Sequence, residues 1–60
     1  MINLKKVRIE KSLTQEALAT ECGVQRTTIS MIESGENKPS VELAKKIANV
    51  LEFEWTEFFE

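Results

Sequence analysis

The stretch LATECGVQRTTISMIESG, residues 18–35, decides how the rest of the chain is read. It holds both glycines of the protein, Gly23 and Gly35. Between them lie one cation, Arg26, and one anion, Glu33, in a chain with ten acidic residues. A glycine tolerates the positive φ that closes a helix, so each of the two marks a helix end. Ala19 stands one helical turn before Gly23, and Ile29 stands six residues after it. A small residue lets two helices approach. A β-branched apolar residue beyond the turn can then be buried between them. This combination predicts two helices, about 15–22 and 25–33, joined by a very short turn.

Outward from this pair, the remaining punctuation sets three more elements. Thr14 reads as the N-cap of the second helix, with Glu16 in its first turn favoured by the helix dipole. Upstream, Ile2, Leu4 and Val7 line one side of a first helix, roughly 2–11, which breaks at Ser12. Downstream, ENKP at 36–39 is a loop. Ser40 caps a fourth helix, about 41–51, whose apolar set is Val41, Leu43, Ala44, Ile47, Ala48 and Leu51. Phe53 enters the core, and a short fifth helix starts near 55. No strand pattern is present. The expectation is one compact all-α domain of five helices over residues 1–60, with the second and third forming a helix-turn-helix.

Charge is distributed unevenly. The net charge is −2. Residues 1–11 carry Lys5, Lys6, Arg8 and Lys11 against Glu10, whereas residues 52–60 carry four glutamates and no cation. A near-neutral average therefore permits a locally basic face. Cys22 is the only cysteine and there is no histidine, which argues against an internal disulfide and against a metal cluster. Cys22 reads as a small core residue. No activated nucleophile, histidine or convergent carboxylate pair points to an enzyme. No cofactor, metal or small-molecule ligand is expected. The chain has no apolar run of membrane-spanning length and no signal core, so a cytoplasmic protein is expected, bacterial or phage-encoded.

The segment LTQEALATECGVQRTTISMIESGENKPSVELAKKIANVL, residues 13–51, resembles the lambda-repressor-like helix-turn-helix family, which includes Cro and Xre-type regulators. The matching signals are LTQ at 13–15, LA at 18–19, GV at 23–24, TIS at 28–30, IE at 32–33, Gly35, and PS at 39–40 followed by LAKKIA. The resemblance implies a DNA-binding domain whose third helix enters the major groove. It assigns base contacts to Arg26, Thr27 and Ser30, and extends to Met31. It assigns phosphate contacts to Gln15, Gln25, Thr28, Asn37 and Lys38. It also pairs Arg8 with Glu33 as a structural tie. At the cap of the third helix the family often has Ser or Thr where this chain has Gln25.

Side-chain chemistry agrees with these assignments. If Thr28, Ile29 and Ile32 face inward, the outward set is Arg26, Thr27, Ser30, Met31 and Ser34, with no carboxylate to repel phosphate. Arg26 can bond guanine O6 and N7 together, while Thr27 and Ser30 can donate or accept at base edges. Met31 either meets a thymine methyl or leans on a neighbour. Asn37 either holds a phosphate or makes local turn bonds. Trp55 and Phe59 either close the core or contact a second copy. The function expected is a sequence-specific transcriptional regulator, a repressor, binding double-stranded DNA as a homodimer on a partly symmetric operator. A phage repressor, an antitoxin and a restriction–modification controller are not separated by the sequence. The alternative, motivated by the acidic balance, is a protein-interaction module using the same fold without DNA.

Overall fold

A computed structural model describes residues 2–59, so Met1 and Glu60, the last of the four C-terminal glutamates, lie outside the described residues. The described chain is all-helical: α1 (Leu4–Glu10), α2 (Gln15–Cys22), α3 (Arg26–Ser34), α4 (Val41–Leu51) and a 3₁₀ segment (Trp55–Phe59). The expected fifth helix is thus a 3₁₀ turn. Glu57 N–H donates to Glu54 O at 3.0 Å, an i→i−3 bond, and Glu54 N–H donates to the Glu57 carboxylate at 3.2 Å. In a 3₁₀ turn, side chains three apart eclipse one another. Trp55, half-buried, and Phe58, buried, therefore both turn toward the domain while Phe59 stays 45% exposed.

Local chemistry explains most helix ends. Thr14 Oγ1 accepts from Ala17 N–H at 3.0 Å, and Ser40 Oγ accepts from Leu43 N–H at 3.1 Å. Gly23 closes α2 at φ 72°, and Gly35 closes α3 at φ 85°. An added Cβ would meet nothing within 4 Å at either glycine. Glycine is needed there for its conformation and not for room. The first helix is shorter than the expected 2–11, because Asn3 is extended (φ −89°, ψ 93°) and its side chain caps Lys6 N–H at 3.1 Å. Ser12 breaks it by adopting a left-handed φ of 60°. The third helix begins one residue later than expected, since Gln25 is its extended N-cap (φ −80°, ψ 152°) and makes no side-chain capping bond.

The core is one cluster drawn from every element: Leu4, Leu18, Ala19, Cys22, Ile29, Ala44, Ile47, Leu51 and Phe58. Val24 and Ile32 pack against it from the partly buried shell, as do Phe53 and Trp55. Val41 is a correction to the expected apolar set of the fourth helix, because it is 49% exposed. It occupies the first position of α4, before that helix meets its neighbours. The α2–α3 turn is tight. Val24 N–H returns to Ala19 O at 2.9 Å, so the residue after the glycine is bonded back into α2. This bond and the burial of Ile29 orient α3 and decide which of its residues reach solvent.

Candidate nucleic-acid interface

One polar network ties α3 to the rest of the domain. Arg8 of α1 donates from Nε to Glu33 Oε2 at 2.6 Å and from Nη2 to Glu33 Oε1 at 3.3 Å. Its Nη1 donates to Leu13 O at 2.7 Å. The Arg8 and Glu33 side chains are 10% and 5% exposed. Such a paired guanidinium–carboxylate contact is directional, so it sets the rotation of α3 against α1. Gln15 joins the same network, with Nε2 donating to Glu33 Oε1 at 3.0 Å. On its other side, Gln15 Oε1 lies 3.5 Å from Arg26 Nη1, at the long limit of a hydrogen bond.

Gln15 is therefore half-buried and engaged within the protein. The outward phosphate role expected of Gln15 does not include this bridge. Spacing could not have found it, because Gln15 and Glu33 are 18 residues apart and meet only in the fold. The one available signal was the expected pairing of Arg8 with Glu33, which draws neighbouring donors to the same carboxylate.

Arg26, Thr27, Met31 and Ser34 are exposed on α3, and Ser30 and Thr28 are half-buried. The outward set itself holds no carboxylate, but Ser34 Oγ donates to the Glu36 carboxylate at 3.2 Å, so one anion flanks its C-terminal end. Among the described residues, Arg8, Lys11 and Lys46 have a carboxylate within ion-pair distance, whereas Arg26 and Lys38, like Lys5, Lys6 and Lys45, do not. Gln25 is exposed at the N-terminal end of the helix, where the first N–H groups lack a side-chain cap and the helix dipole presents its positive end.

The other end of α3 is more tightly built. The Met31 carbonyl accepts from Glu36 N–H at 3.0 Å, Asn37 N–H at 3.2 Å and Ser34 Oγ at 3.1 Å. Asn37 Nδ2 also lies 3.8 Å from the Met31 sulfur. Asn37 and Lys38, both exposed, are thus held beside Met31 by the loop that follows Gly35.

At the opposite end of the sequence, Trp55 and Phe59 stack edge to face with ring centres 6.1 Å apart. Lys45 Nζ stands 5.2 Å from the centre of the Trp55 ring. Cys22 is buried, and burial is the main cause that pushes its thiol pKa up from 9.0. Lys46 opposes that shift, and Glu21 adds to it. Among the described residues, no cluster of histidine, cysteine or acidic side chains is placed to hold a metal, and no helix is long and apolar enough to cross a membrane.

Comparisons with known proteins agree with this architecture. A family model described as helix-turn-helix matches residues 4–58. The chain is 51% identical over 57 residues to the uncharacterized HTH-type transcriptional regulator YqaF of Bacillus subtilis, covering 95% of this chain and 75% of that protein. It is 53% identical over 45 residues to the uncharacterized HTH-type transcriptional regulator MJ0272 of Methanocaldococcus jannaschii, covering 75% of this chain and 68% of that protein. It is also 47% identical over 45 residues to the HTH-type transcriptional activator BcrR of Enterococcus faecalis, covering 75% of this chain but 22% of that protein. The geometry of α2 and α3, the match over residues 4–58 and these identities together place the chain in the Xre and lambda-repressor-like helix-turn-helix family, a family of DNA-binding regulators and not of enzymes.

Proposed function

We propose that this protein is a sequence-specific transcriptional repressor of the cytoplasm that binds a partly symmetric operator as a homodimer, with α3 in the major groove. The observation that carries the reading is the outward side of α3. It presents Arg26, which has no ion-pair partner among the described residues, with short hydroxyls and a thioether; the one carboxylate beside it is that of Glu36, which accepts from Ser34 Oγ at 3.2 Å at the C-terminal end, in a chain whose net charge is negative. In this reading Arg26 bonds a guanine edge, Thr27 and Ser30 take neighbouring edges, and Met31 meets a thymine methyl. Gln25, Thr28, Asn37 and Lys38 hold phosphates on either side. Gln15 contributes a phosphate contact from the start of α2 while keeping its bridge to Glu33.

The homodimer is supported by a row of side chains, exposed at Val41, Lys45 and Phe59 and half-buried at Trp55. Val41 and Lys45 lie one turn apart on α4, Lys45 stands over Trp55, and Trp55 meets Phe59. A second copy covering this surface would bury Val41 and Phe59 and join two reading helices into one symmetric unit. Two such helices read half-sites about 34 Å apart along the duplex.

Selection of bound sequences from a random duplex pool tests the function. A partly symmetric site is expected. Arg26→Ala is expected to relax the preference at one G·C pair per half-site, a loss of about 1–3 kcal/mol of discrimination. Failure to enrich any sequence at low salt would overturn the reading and favour a protein-interaction module.

A further inference from the structure

The contact between Met31 and Asn37 gives the outward face of α3 a chemical sensitivity. Met31 is 37% exposed, and among the described residues its thioether is the one exposed sulfur, since Cys22 is buried. The sulfur has a polar neighbour on the following loop. The loop after Gly35 returns Asn37 N–H to the Met31 carbonyl at 3.2 Å and sets Asn37 Nδ2 3.8 Å from Sδ. The position proposed for a base edge and the one proposed for a phosphate therefore meet at one soft atom.

We propose that Met31 is an oxidation site through which hydrogen peroxide, or another two-electron oxidant, weakens operator binding. This rests on the DNA-binding reading given above. The sulfur lone pair attacks one peroxide oxygen and the O–O bond breaks. The departing oxygen takes the remaining proton and leaves as water. Sulfur is oxidised by two electrons to the sulfoxide, and the peroxide is reduced. The product carries a strongly accepting oxygen where an apolar thioether stood. That oxygen lies within the reach of Asn37 Nδ2, a much better donor to oxygen than to sulfur. Two changes follow together: the apolar contact to a thymine methyl is lost, and the Asn37 amide is drawn away from phosphate. Buried Cys22 keeps its thiol pKa raised by desolvation, so its reactive thiolate is scarce under the same conditions.

The test uses the duplex recovered from the random pool and the full chain treated with hydrogen peroxide, with the added oxygen located by mass spectrometry. Oxidation at Met31 is expected to weaken binding to that duplex about tenfold, comparable to one mismatched base pair. Methionine sulfoxide reductase is expected to restore the affinity, which requires no variant at all. Met31→Leu is compared with its own untreated affinity, which peroxide should leave unchanged. Untreated Met31→Gln, polar at the same place, should bind as weakly as the oxidised protein, with unchanged far-UV circular dichroism.

The proposal is overturned if protein oxidised at Met31 binds within about twofold of the untreated chain. It is also overturned if peroxide weakens Met31→Leu by the same factor as the native chain. If no duplex is enriched by untreated protein, the DNA-binding reading itself has failed. If a duplex is bound equally before and after oxidation, only the role of Met31 has failed.

Discussion

Arg8→Met is the substitution that most directly tests what holds α3 in place. It removes both bonds to the Glu33 carboxylate and the donor at 2.7 Å from Leu13 O. Glu33, whose side chain is 5% exposed, keeps only the Gln15 amide at 3.0 Å. Breaking a buried ion pair from one side costs roughly 3–5 kcal/mol, because the remaining charge is left desolvated and unpaired. A domain of this size has a total stability of about 3–9 kcal/mol. Arg8→Met is therefore expected to consume most of it.

Replacing both partners, Arg8→Met with Glu33→Leu, removes the stranded charge and should recover the greater part of the loss. Arg8→Lys keeps a cation but cannot reproduce the paired contact, and should fall between. Urea denaturation followed by far-UV circular dichroism measures all four proteins, and an unchanged m value shows that only stability has moved. A loss below about 1 kcal/mol for Arg8→Met, the size of a solvated surface pair, would refute the reasoning. So would a double variant no more stable than the single one.

Other outcomes follow from single features. Gln25→Ser supplies the side-chain cap that α3 lacks. It is expected to raise stability by about 0.5–1 kcal/mol in urea while weakening duplex binding, because the proposed phosphate contact is removed. Ser12→Gly relieves a left-handed residue at φ 60° and is expected to add up to about 1 kcal/mol, read as a rise in thermal midpoint. The folded state raises the Cys22 thiol pKa, so the unfolded chain ionises first as pH climbs. Stability is then fully present below the ordinary thiol range and declines as pH rises through it. Cys22→Ala should remove that part of the alkaline decline in pH-dependent denaturation curves. Phe59→Ala is expected to shift sedimentation toward the monomer, and an unchanged dimer would exclude Phe59 from the interface.

Helix ends were legible in the sequence where a single residue determines the local conformation. Thr14, Gly23, Gly35 and Ser40 each close or open a helix through their own backbone or side chain. The buried face of α2 was legible for a related reason, since Leu18, Ala19 and Cys22 recur at helical spacing. The start of α1 was missed because Asn3 was not read as a cap. The 3₁₀ segment was missed because five residues do not distinguish a tight turn of helix from a looser one. Val41 fits the apolar pattern of α4, but a pattern identifies a face and not where its covering ends. In the candidate site, the exposure of Arg26, Thr27, Met31 and Ser34 follows from the burial of Ile29, whereas Ser30 is half-buried like Thr28. The bridge through Gln15 and the contact between Asn37 and Met31 do not follow from it, because each depends on the approach of two segments that no local rule describes.

The amide of Gln15 also has a polarity. Glu33 can only accept, so Nε2 must face it and Oε1 must face Arg26. Position 26 consequently looks onto an acceptor whose orientation is imposed from the protein's own interior. A residue there that donates, as arginine does, is welcomed. A residue that can only accept, such as glutamate, meets an oxygen that cannot turn without placing another beside Glu33. In the proposed base-reading role, change at residue 26 alone is thereby biased toward base pairs that offer acceptors, guanine foremost. If residue 26 reads bases as proposed, an internal tie between Gln15 and Glu33 disfavours a cytosine-reading carboxylate there and so bears on which operators the protein can acquire.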